Sequence, residues 1–179
     1  WRVGESTGLI VIGLVFLVLS LPWLRSGSGE FQRQTGTVVN LAGILLVGLG
    51  VGFATEGSIN AAALVMAMIA VGMFVLSPQW LHRFLCAGVL LGCLFWLLVG
   101  ERAPADRLAL AQVLVVWATM AVWLVRLYVD PGEWPRRILD PLAWALTFAA
   151  LLLAWTAPWL AGFVDDPRAD ELLGAALAS

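Results

Sequence analysis

The sequence predicts an all-α polytopic integral membrane protein, a bundle of about six transmembrane helices joined by short loops. Three observations carry this expectation. Of 179 residues, 61% are hydrophobic and only 12% are charged, whereas soluble domains average about 45–50% apolar and about 25% charged. A water-soluble fold of this size has no way to hide so much apolar surface, so the surplus faces lipid. Charged residues fall between long uncharged runs rather than within them. Those runs are continuously apolar, where a transmembrane barrel would alternate in short segments. Helices are favoured because hydrocarbon offers no partner to an open backbone.

The uncharged runs are Ser6–Leu24, Gln34–Thr55, Gly57–Leu81, Phe84–Gly100, Leu108–Val125 and Pro141–Val164. Each falls within the roughly 17–25 residues that cross a bilayer as a helix. Expected spans are about 6–24, 35–55, 58–81, 84–100, 108–128 and 140–163. The remainder, 164–179, reads as a short acidic and amphipathic tail on the membrane interface, and residues 1–179 form one transmembrane domain. Connections are short. Arg25–Glu30 reads as a flexible Gly/Ser turn, Glu56–Ser58 as a tight one, and Gln79–Arg83 as the loop between the third and fourth helices. Glu101–Arg107 carries the breaker Pro104, and Val129–Asp140 is the longest connection. Trp1 stands where a Met would begin a chain, so a preceding stretch is expected.

All ten basic residues are arginine. Arg25, Arg33, Arg83, Arg126, Arg136 and Arg137 fall at one end of the expected bundle, and Arg2, Arg102, Arg107 and Arg168 at the other. The positive-inside rule then places both termini on the non-cytoplasmic side. A net charge of −2 does not suggest a nucleic-acid partner. Cys86 and Cys93 are seven residues apart on one helix, about 10 Å of rise, too far for a mutual disulfide.

Of ten tryptophans, Trp23, Trp80, Trp134 and Trp159 sit near expected helix ends, where amphipathic rings anchor at the headgroups. Trp96, Trp117, Trp123, Trp144 and Trp155 fall within the spans, and packing against lipid or a helix is favoured for them over a pigment or quinone pocket. Gly48-x-x-x-Gly52 and Gly88-x-x-x-Gly92 have the spacing that lets helix backbones approach closely. Ala63/Ala67, Ala145/Ala149 and Ala150/Ala154 repeat it. Asn40, Asn60 and Gln112 are the candidates for interhelical hydrogen bonds or a polar pore, with helix–helix adhesion the favoured reading. His82, the one histidine, reads as an interfacial loop residue without partners. No haem or metal site within the chain is expected, since a single histidine and no carboxylate or cysteine cluster accompany it. Ionisable residues within a membrane commonly mark function. Here Glu56, Glu101 and Arg126 stay at span borders, and no pattern suggests an enzyme.

Two stretches are similar to known families. Thr37-Val-Val-Asn40 resembles the Asn-bearing start of the second helix of bacterial urea and amide channels, but the aromatic third-helix pattern of that family is absent from Ala61–Ser77. Thr35-Gly36 through Asn40 to Gly52-Phe53-x-Thr55 is similar to a segment of membrane subunits of multisubunit cation antiporters, without the charged residues of that segment. Neither resemblance identifies a family. The expected function is that of a small accessory subunit of a larger membrane complex, acting by helix packing and lipid, pigment or quinone contacts. The alternative is a compact channel or carrier for a small neutral solute. Expected partners are membrane lipids and other membrane subunits or further copies of the chain, in the bacterial inner membrane. The cofactor, if any, is unassigned.

Overall fold

A computed structural model describes residues 2–26, 29–100, 105–129 and 134–164. They form six helices: α1 (Arg2–Ser26), α2 (Glu30–Ala54), α3 (Ile59–Leu76), α4 (Trp80–Val99), α5 (Ala105–Leu127) and α6 (Trp134–Val164). All six are long and apolar enough to cross a membrane. The protein is an all-α helical membrane bundle. The expected interfacial tail from residue 165 onward lies outside the described residues.

Several helices outrun their uncharged runs. α2 begins at Glu30, α4 at Trp80 and α6 at Trp134, because a charge marks where water begins and not where helical hydrogen bonding ends. One correction follows: His82 and Arg83, expected in a loop, lie in the first turn of α4. The preceding break is shorter and sits earlier. Ser77 is extended (φ −82°, ψ 131°), as the ring of Pro78 demands of the residue before it.

Local chemistry sets the other ends. The Ser58 side chain caps α3, accepting from the Ala61 amide, which satisfies one of the donors a helix start leaves open. α2 closes with the Gly57 amide donating to the Gly52 carbonyl at 2.8 Å. This is the Schellman pattern, in which the residue after the C-cap turns left-handed. Here that residue is Glu56, at φ 55°, a conformation most side chains avoid.

Consecutive helices pack as antiparallel hairpins, α1 with α2, α3 with α4 and α5 with α6. α2 then packs on α3, and α4 on α6. Leu17, Leu24, Ile44, Val47, Met73 and Cys86 form the main core within the first four helices, and α6 adds buried Ala143, Ala145 and Leu146.

The tightest seam joins α1 to α2. Gly36, Asn40, Gly43, Val47 and Gly50 are buried along one face of α2, at alternating steps of four and three. A methyl placed on Gly43 would stand 2.9 Å from the Gly13 carbonyl oxygen, and one on Gly50 2.9 Å from the Ser6 oxygen. Only glycine permits backbones that close, and dispersion accumulates along such a seam where lipid removes the hydrophobic drive between helices. At the opposite extreme, α5 exposes Leu110, Val113, Leu114, Val116, Trp117 and Met120.

Candidate functional site

Beside the glycine seam, α2 carries two buried polar side chains, Thr37 and Asn40. Asn40 is fully buried, as are Ser20 on α1 and His82 on α4. The Ser20 hydroxyl donates to the Leu17 carbonyl at 2.9 Å, so its oxygen is left to accept. Asn40 Nδ2 donates to it at 2.8 Å. That bond fixes the amide orientation, turning Asn40 Oδ1 toward His82 Nε2 at 3.0 Å. A carbonyl oxygen only accepts, so Nε2 carries the ring hydrogen and Nδ1 is left as an acceptor. Cys86 Sγ, one turn along α4, lies 3.7 Å from Nδ1. Three helices are thus tied by one amide, whose isolation in hydrocarbon would be costly.

One turn toward the helix start, Thr37 continues this polar face. Its hydroxyl donates to the Arg33 carbonyl at 3.0 Å and lies 3.4 Å from Gln79 Oε1. Gln79 Nε2 is buried without a hydrogen-bond partner. Both residues face a cleft of about 420 Å³ between the α1–α2 and α3–α4 turns, lined also by Arg25, Glu30, Arg33, Gln34 and Trp80. Glu30 Oε1 accepts from Gln34 Nε2 at 3.2 Å. Nearby, Arg83 fastens the α3–α4 turn to α6, donating to the Ser77 carbonyl at 2.6 Å and the Arg137 carbonyl at 3.0 Å.

A second cavity differs in every respect. It is an open apolar groove of about 590 Å³ between α4 and α6, with Val115 of α5 at its side. Phe84, Phe95 and Phe148 contribute aromatic walls, and Gly88, Gly92, Ala145 and Ala149 the small-residue floor.

The sequence profile of a family described as "Domain of unknown function (DUF4401)" matches residues 2–177. The chain belongs to the DUF4401 family. Neither a curated protein nor a solved structure matches it.

The DUF4401 fold distributes the residues singled out in the sequence over separate surfaces. Asn40 joins the Ser20–His82 network, whereas Asn60 is exposed in the first turn of α3 and Gln112 is half-buried on α5. Gly48 faces the Met66 side chain of α3, and a methyl on Gly52 would lie 3.7 Å from the Ala62 Cβ. A methyl on Gly88 or Gly92 would meet nothing within 4 Å, so among the described residues no other helix packs directly on them.

Among the tryptophans expected near helix ends, Trp23 is exposed, and exposed Trp80 stacks on Phe84 with ring centroids 5.6 Å apart. The side chains of Trp134 and Trp159 lie outside the described residues. Trp123 Nε1 donates to the Thr147 hydroxyl at 2.9 Å, joining α5 to α6. Among the described residues no group of three or more His, Cys, Asp or Glu gathers as a metal site would require.

Sequence reasoning missed two features. The partners of His82 went unseen because its i, i+4 neighbour Cys86 and the facing Asn40 become adjacent only when α2 packs near α4. The glycine seam had a readable signal in the seven-residue spacing of Gly36, Gly43 and Gly50, which the four-residue motif does not capture.

Proposed function

We propose that this DUF4401 protein is a small accessory subunit of a larger assembly in the bacterial cytoplasmic membrane, and that it acts by packing a partner's transmembrane helix. The observation that carries this reading is the groove between α4 and α6. Gly88 and Gly92 on one wall and Ala145 and Ala149 on the other give two small-residue steps one turn apart, the arrangement that admits a helix backbone. Among the described residues, no other helix comes within 4 Å of where a side chain on either glycine would begin. Phe84, Phe95 and Phe148 supply the aromatic rim that such a helix packs against. Orientation follows the arginine distribution, with the α1–α2 and α3–α4 turns facing the cytoplasm. A neutral-solute path through Asn40, Asn60 and Gln112 draws less support, since Asn40 is enclosed and the other two stand on different helices.

The test is site-specific crosslinking in native membranes, with a photoreactive group in place of Leu152 at the groove. A crosslinked peptide from a membrane-spanning segment of a partner is expected, and Gly92→Leu should abolish it. Because the groove at Gly92 is open, the variant should keep wild-type helicity and melting in detergent. Crosslinks to lipid alone, or a partner crosslink unchanged by Gly92→Leu, would refute the reading.

A further inference from the structure

On the side of the α3–α4 turn, the end assigned above to the cytoplasm, the groove between α4 and α6 runs out among arginines. Arg83 immediately precedes Phe84, where the groove begins on α4. Arg136 and Arg137 lie in the first turn of α6, and Arg126 in the last turn of α5. Among the described residues, Asp140 is the one carboxylate that α4, α5 and α6 bring to this end.

That carboxylate is already taken. Arg126 Nε donates to Asp140 Oδ1, and Arg136 Nε stands 4.0 Å from the same oxygen. Arg136 also donates to the Val129 carbonyl at 3.2 Å. Arg83 donates to the carbonyls of Ser77 and Arg137, which occupies its hydrogens but leaves its charge uncompensated, since both acceptors are neutral. Arg137 is exposed, and among the described residues its guanidinium bonds nothing. Within those residues this end keeps a surplus of positive charge, and Arg137 offers it to an incoming group.

Position ties Arg137 to the groove. It precedes Phe148 by eleven residues, close to three whole helical turns, so the two share a face of α6, and Phe148 is a groove wall. A helix lying in the groove and continuing toward the cytoplasm comes level with Arg137 roughly 16 Å beyond Phe148. Most transmembrane helices carry Lys or Arg at that border. Beside Arg137 such a helix meets the like-charge repulsion by which interfaces reject wrong partners. A carboxylate there meets a planar fork of donors that it can accept in pairs.

Resting on the reading that a partner's helix fills this groove, we infer that the partner helix bears an Asp or Glu at its cytoplasmic border, paired with Arg137. The glycine and alanine floor sets how closely a helix approaches, and the arginine decides which helix stays.

The experiment uses the full chain in native membranes, with the photoreactive group at Leu152, and sequences the captured segment. Its cytoplasmic border should carry Asp or Glu, with no Lys or Arg in the same turn. Crosslinking should fall at least about tenfold in Arg137→Glu, as a like-charge pair at an interface predicts, and survive in Arg137→Lys. Replacing the partner's acid by Arg should restore capture by the Arg137→Glu chain, a recovery that a misfolded or inverted variant does not give. A captured segment without the acid, a yield indifferent to Arg137→Glu, or a loss that the exchanged charges do not reverse overturns this inference while helix docking stands. Capture of lipid alone by the wild-type chain overturns both.

Discussion

Adding one methyl group at Gly13 tests the α1–α2 seam directly. A Cβ there would lie 2.7 Å from Val47 Cγ2, 2.8 Å from the Gly43 carbonyl oxygen and 2.9 Å from the Val47 nitrogen. Ordinary contact begins near 3.4 Å, so the shortfall against the oxygen, 3.4 − 2.8 Å, is about 0.6 Å. Two of the three obstructing atoms are backbone, so no rotamer change relieves them and the helices must part. Overpacking of this kind costs about 1–3 kcal/mol. Gly8→Ala in the same helix is the control, because a methyl there meets nothing within 4 Å. Both substitutions gain the same intrinsic helix preference, so their difference isolates the seam. Reversible unfolding in bicelles, titrated with a denaturing detergent and followed by tryptophan fluorescence, should show Gly13→Ala about 1–3 kcal/mol less stable than Gly8→Ala, or roughly 5- to 150-fold in the folding constant. Equal stability of the two variants would mean that α1 and α2 do not approach at this distance.

Two further outcomes follow from the polar contacts. In a double-mutant cycle, Asn40→Ala and His82→Ala should each cost about 1–3 kcal/mol, since each strands a buried partner. Their coupling should fall near the 0.6–1.7 kcal/mol found for hydrogen bonds between membrane helices; strict additivity would dissolve the network. Where α5 meets α6, Arg126 Nε lies 2.5 Å from Asp140 Oδ1 while Arg136 Nε lies 4.0 Å away. Asp140→Asn should therefore lower the unfolding free energy in detergent more than Arg136→Gln, by about 1 kcal/mol, and the reverse order would contradict this pairing.

The spans were legible because the cost of burying charge in hydrocarbon is written residue by residue. Uncharged runs located all six helices and the brevity of most turns. Helix starts were less legible: Glu30 and Arg83 lie within helices, because an interface tolerates both charge and helix. The neighbours of each helix were not legible at all. Gly88-x-x-x-Gly92 and the Gly13–Gly43 contact use the same small residue for opposite ends, one left open and one closed, and only the packing tells them apart. His82 shows the same limit, since nothing in the residues around it names Asn40 as its partner. Asn40 itself stood out as an amide in an apolar run, which is a rare enough residue there to attract notice before its bonds are known.

The placement of Asn40 also orders events during synthesis. Its amide bonds Ser20, which precedes it by 20 positions, and His82, which follows it by 42. When α2 first enters the membrane, α1 is already there, so the glycine seam and the Ser20 bond can form at once within a two-helix hairpin. The carbonyl half of the same amide then waits for a helix not yet made. Arrival of α4 relieves that debt, and α3, tethered between them by the turns at Glu56–Ser58 and Ser77–Gln79, is drawn into place by the same event. A single side chain thereby divides assembly into an early step that needs only the first two helices and a later one that the fourth completes.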